Sequence, residues 1–97
     1  MRDLVERAQD GDRDAFAALV TMISDRMYAL AARILRDSAL AEDALQGALI
    51  TVWRQLPTLR DPDRFEAWVR RLLVHQVHGG EALQGFWAAA VKIPAAP

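Results

Sequence analysis

The stretch AEDALQGALITVWRQLPTLRDPDRFEAWVRRLL, residues 41–73, decides the fold. Its first part predicts a helix from about Ala39 to Leu56, stopped by Pro57, which lacks an amide proton and disfavours helix before it. At about 100° per residue, Ala41, Ala44, Leu45, Ala48, Leu49, Val52 and Leu56 share one side, which should pack inward. The opposite arc carries Glu42, Asp43, Gln46, Gly47 and Arg54, but also Ile50 and Trp53. A merely solvated face seldom mixes a large aliphatic and a tryptophan among its polar groups. Two readings stand: the arc is a partner surface, or Trp53 sits at the core edge, half covered by the next loop.

The loop PTLRDP, residues 57–62, has a proline at each end and presents Arg60. Asp63 and Glu66 resemble a capping box, with Asp in the Ser/Thr role, opening a helix from about Arg64 to Val77. Phe65, Trp68, Val69, Leu72, Leu73 and Val77 form its apolar arc. Arg64, Arg71, His75 and His78 fall within about 60° of one another, a cationic stripe bordered by Trp68, while Arg70 lies on another face.

Upstream, Phe16, Leu19, Val20, Ile23, Met27, Leu30, Ala31 and Ile34 predict a long amphipathic helix ending near Arg36. Asp12 should cap its start, and Asp37-Ser38 should break the chain and re-cap it. Leu4, Val5 and Ala8 suggest a short first helix ending at Asp10-Gly11. Downstream, Gly79-Gly80 should end the last core helix. The tail EALQGFWAAAVKIPAAP is weakly patterned, though Phe86, Trp87 and Val91 could make another helical turn or two. Strand alternation is missing, and the Asp10-Gly11 pair stands between helical patterns rather than between strands. The expected fold is all-α, a small domain of three to four helices over residues 1–78, followed by a divergent tail over 79–97.

Ninety-seven residues make one small domain that should bury about 65% of its unfolded surface. A composition 53% hydrophobic and 26% charged is ordinary for a globular chain. With no cysteine, disulfide scaffolds, thiolate metal sites, iron–sulfur clusters and thiol nucleophiles are excluded. The net charge of −1 hides an asymmetry. Residues 1–53 carry six Arg against nine acids, whereas residues 54–78 carry five Arg against three acids. No uninterrupted apolar run reaches the ~18 residues of a membrane span, and MRDLVERAQDGD lacks a signal-peptide apolar core. The expectation is a soluble, cytoplasmic protein.

Nothing in the sequence supports catalysis, and no cofactor is expected: there is no glycine-rich phosphate loop, no G-x-S-x-G and no H-E-x-x-H. No metal site is expected either. Asp10, Asp12 and Asp14 only faintly echo a calcium loop, without its later Glu. His75, His78 and Glu81 would offer three ligands without a fourth. Nucleic acid is better motivated, because an Arg/His stripe beside a tryptophan offers phosphate contacts and a stacking platform.

The run LVERAQDGDRDAFAALV, followed by AARILRDSALAEDALQGALITVWRQLPTLRDPDRFEAWVRRLLVH, closely resembles the second region of bacterial extracytoplasmic-function sigma factors. The most specific pieces are Ala41-Glu42-Asp43-Ala44-Leu45-Gln46, then Val52-Trp53-Arg54, the Arg-Asp-Pro loop and Phe65-x-x-Trp68-Val69-x-x-Leu72. The resemblance runs without a gap from residue 4 to about 75. It implies docking on the clamp helices of the RNA polymerase β′ subunit through Asp43, Gln46, Ile50 and Trp53. It also implies recognition and melting of the minus-ten promoter element. There the loop from Leu56 to Asp63 would capture a base flipped from the non-template strand, and Arg60, Arg64, Trp68, Arg71 and His75 would track that strand. An anti-sigma protein is a further possible partner. A stand-alone helical module that competes with sigma factors is the alternative.

Beyond His75 the pattern departs from the family. An Arg-rich continuation is replaced by Gln76-Val-His-Gly-Gly-Glu-Ala-Leu-Gln-Gly, and the helix-turn-helix fourth region, which would read the minus-thirty-five element, does not follow. Each lost cation should weaken DNA binding, so impaired DNA affinity is expected.

Overall fold

The computed structural model describes residues 1–92, with side chains described through His78. Four helices follow one another: α1 (Arg2–Gln9), α2 (Arg13–Leu35), α3 (Ser38–Gln55) and α4 (Phe65–Lys92). Two 3-10 turns, Leu56–Thr58 and Pro62–Arg64, join α3 to α4. Every regular element among the described residues is helical, as the periodicity predicts.

Local signals set the joints. Asp12 accepts the Ala15 amide at 3.0 Å and caps α2; Asp37 accepts the Leu40 amide at 2.9 Å and caps α3. Gly11, between α1 and α2, has φ +95°, a conformation that favours glycine, although its missing Cβ would meet nothing within 4 Å. Arg36 ends α2 in the left-handed region at φ 55°.

The core is built from residues three or four apart on each helix. Ala15, Leu19, Ile23, Met27 and Ala31 of α2 meet Ala41, Ala44, Ala48 and Val52 of α3 and Phe65, Val69, Leu73 and Val77 of α4. Val5 and Ala8 bring α1 into the same cluster. Long side chains on α2 and α4 interleave with alanines on α3, which lets the helices approach closely. Gly47 belongs to the same device. A Cβ there would stand 2.6 Å from Gln76 Nε2 of α4, so the glycine admits that side chain.

Two expectations are corrected. The capping box at Asp63 and Glu66 does not form. Pro62, with its fixed φ and no amide proton, suits the first position of a helical turn and moves the cap back to Asp61. Asp61 accepts the Asp63 amide at 3.0 Å, while Asp63 pairs with Arg2. Nor does the last helix stop at Gly79-Gly80, because α4 continues to Lys92. Each interior glycine costs about 1 kcal/mol relative to alanine, and the Ala, Leu, Gln and Glu residues beyond are good helix formers. The side chains of Phe86 and Trp87 lie outside the described set.

α2 is long and apolar enough, by length and composition, to cross a membrane. Its stripe from Ala15 to Ala31 is spent on the core, and its mid-helix Arg26 pairs with α4.

That pair is bidentate: Arg26 donates to both Glu66 oxygens at 2.7 Å, and Arg70 stands 3.7 Å from the same carboxylate. The hydrogen bond from Arg26 holds the Glu66 carboxyl below its ordinary range. A carboxyl lowered by folding stabilises above its unfolded pKa, and the effect is lost as pH falls through the folded value. We therefore expect Glu66→Gln to lower the melting temperature by about 2–5 °C at pH 7. The difference from wild type should shrink as pH falls below the ordinary glutamate range. Thermal melts across pH check this.

Candidate functional site

Two neighbouring surfaces hold the residues singled out in the sequence. The first is the outer arc of α3. Glu42, Asp43, Gln46, Ile50 and Arg54 are exposed, and Ile50, at 56%, is the most exposed large hydrophobic residue among those described. Asp43 and Gln46 form no ion pair or side-chain hydrogen bond within the described residues, so their polar groups face outward. Trp53 is half-buried at the edge of this arc. Phe16 of α2 lies against it: the ring centroids are 4.8 Å apart at 55°. Arg13 joins Phe16 and Trp53 to line a shallow open hollow beside the arc. Thus Asp43, Gln46 and Ile50 are exposed on the outer arc, while Trp53 is half-buried beside it.

The second surface is the α3–α4 connection with one face of α4. Arg60 is exposed on the loop and, like Arg71, pairs with no described acid. Arg64 has only a loose 3.8 Å contact with Asp61 and keeps 76% of its side chain exposed. Arg71 and His75 are exposed about two and three turns beyond Arg64. Trp68 is half-buried against the core, tilted on Phe65 with centroids 6.3 Å apart. Arg70 is set apart, turned toward Glu66. The structure therefore brings Arg64, Trp68, Arg71 and His75 onto one stripe.

The Gly47–Gln76 contact forms the seam between these surfaces. Gly47 lies about 60° around α3 from Ile50, and Gln76 follows His75 on α4. Both surfaces flank the same helix pair.

Several contacts across the domain left no local trace in the sequence. Gln9 donates from one amide nitrogen to the Leu56 carbonyl at 3.1 Å and the Leu59 carbonyl at 2.9 Å. Arg2 pairs with Asp63 at 2.7 Å. The partners are 47, 50 and 61 residues apart, so no periodicity could reveal them.

The chain is similar to bacterial RNA polymerase sigma factors. It is 34% identical over 74 residues to the RNA polymerase sigma-H factor of Pseudomonas aeruginosa, covering 76% of this chain and 38% of that protein. It is 35% identical over 82 residues to the RNA polymerase sigma factor CarQ of Myxococcus xanthus, covering 76% and 47%. It is 33% identical over 82 residues to the ECF RNA polymerase sigma-E factor of Escherichia coli, covering 84% and 42%. The chain thus spans less than half the length of these relatives. No solved structure matches it. The relatives are sigma factors rather than enzymes, in keeping with a sequence that holds no catalytic constellation. Residues 19–78, which carry both surfaces, match sigma-70 region 2, and the chain belongs to that family.

Proposed function

We propose that this chain is a sigma region 2 domain that binds core RNA polymerase through α3 and engages promoter DNA through the α3–α4 connection and α4. The observation that carries the first half is the exposed Ile50 flanked by outward-facing Asp43 and Gln46. An apolar centre with a polar rim is the usual anatomy of a protein interface. The partner element is the pair of clamp helices of the β′ subunit, with Trp53 at the border of the contact. The second half rests on Arg60, Arg64, Arg71 and His75 beside the half-exposed ring of Trp68. Such a surface suits the non-template single strand of the minus-ten element, by phosphate contacts and base stacking. The protein would act in the cytoplasm, where the polymerase works.

Co-migration with bacterial core polymerase tests the first half. Asp43→Ala and Gln46→Ala should each weaken the complex while leaving helicity unchanged; full binding by both variants would count against it. For the second half, binding of a single-stranded oligonucleotide should be weak. Its log–log salt slope should drop by about 0.7 in each of Arg60→Ala and Arg71→Ala. Tight, salt-steep binding to duplex DNA by this chain alone would contradict the weak affinity expected from the missing basic segment.

A further inference from the structure

We propose that Gln9, on α1 and outside both surfaces, is the positioning residue that holds the α3–α4 connection in its strand-binding shape. This inference rests on the DNA reading of that connection. Gln9 is the last residue of α1, next to Ala8, which is 3% exposed in the core. Its carboxamide nitrogen has two protons, and two carbonyls take them: Leu56 at 3.1 Å and Leu59 at 2.9 Å. Both partners can only accept, which fixes the nitrogen as the atom facing the loop. The two carbonyls bracket the first 3-10 turn, which its own backbone closes with a single 3.0 Å bond from the Leu59 amide to Leu56. Beyond Leu59 the loop presents Arg60, and then Arg2, at the other end of α1, grips Asp63 at 2.7 Å. α1 therefore braces the connection at two points, with Arg60 exposed between them.

The chemistry at the inner point is selective. A glutamate has no proton for either carbonyl when ionised, an asparagine is one methylene short, and a methionine keeps the volume but donates nothing. Held at both carbonyls, the loop meets a nucleotide already shaped. Released, it must be ordered by the ligand, and the ordering entropy is subtracted from affinity. The effect should fall on DNA and spare the α3 face, which Gln9 does not touch.

The test compares the full chain with its Gln9→Met, Gln9→Glu and Arg60→Ala variants. Three quantities are read: hydrogen exchange at the Leu59 amide, low-salt binding of a fluorescent 12-nucleotide single-stranded DNA pool, and co-migration with core polymerase. Gln9→Met and Gln9→Glu should speed exchange at Leu59 by about tenfold. They should weaken oligonucleotide binding about three- to tenfold and leave polymerase binding unchanged. Arg60→Ala should weaken oligonucleotide binding without altering exchange. Wild-type oligonucleotide binding or wild-type exchange in Gln9→Met, beside a loss in Arg60→Ala, overturns the positioning role and leaves the DNA reading intact. Wild-type binding in both Gln9→Met and Arg60→Ala overturns the DNA reading, and the positioning role with it. An equal loss of polymerase binding in the Gln9 variants would show general damage and also overturn the role.

Discussion

Phe65→Ala should bring this domain close to unfolding. Phe65 is the largest fully buried side chain among the described residues, 1% exposed, and it stands where the second 3-10 turn becomes α4. Truncating a buried phenylalanine costs about 3–5 kcal/mol in lost transfer energy and cavity. A domain of this size has a total stability of roughly 5–15 kcal/mol. The expected fall in melting temperature is about 12–25 °C or more. The site cannot collapse easily, because its neighbours are held from several sides. Val69 and Leu73 continue its ridge, Trp68 leans on its ring, and the Arg26–Glu66 pair fixes the adjoining turn to α2. Phe65→Leu keeps most of the volume and should cost less than about 1.5 kcal/mol. Thermal melts followed by circular dichroism measure both. A drop below about 5 °C for Phe65→Ala would mean that the core does not close around this ring as described.

What the sequence revealed and what it concealed divide along chain separation. The caps at Asp12 and Asp37 were legible because an N-cap acts on an amide three residues away. The buried faces of α2, α3 and α4 were legible because residues on one helix face recur every three or four positions. The same local logic misread Asp63. A proline at the start of a 3-10 turn outweighed the Asp–Glu spacing and moved the cap to Asp61. It also misread Gly79-Gly80, since glycine weakens a helix by a fixed amount and does not terminate one whose first three turns are anchored in a core. Trp53 illustrates the limit. Its place at the core edge could be anticipated, but its partner could not, because Phe16 lies on another helix. The candidate site divides likewise. The stripe of Arg64, Trp68, Arg71 and His75 follows from helical phase alone. The bracing by Gln9 and Arg2 depends on α1 lying along a loop some fifty residues later, which only the tertiary structure reveals.

Ile50→Asp should separate folding from binding most sharply. The side chain is 56% exposed, so the fold gains little from it, and a polar replacement at such a position should shift stability by no more than about 0.5 kcal/mol. At the interface proposed for α3 the same change has a different consequence. Ile50 is the apolar centre of the arc, and Asp43 already supplies a carboxylate about 20° away around the helix. A second carboxylate there would be desolvated without a partner and repelled by its neighbour. Defects at the centre of an interface cost about 2–4 kcal/mol, which is roughly 30- to 1,000-fold in affinity. Asp43→Ala removes a polar contact at the rim, and its effect should be smaller, near tenfold. Arg71→Ala, on the other surface, should bind polymerase like the wild type. Titrating the labelled variants with core polymerase, with melting temperatures recorded in parallel, gives all four numbers. Wild-type affinity in a folded Ile50→Asp chain would move the polymerase contact off this arc, and the hollow of Arg13, Phe16 and Trp53 would be the next surface to test.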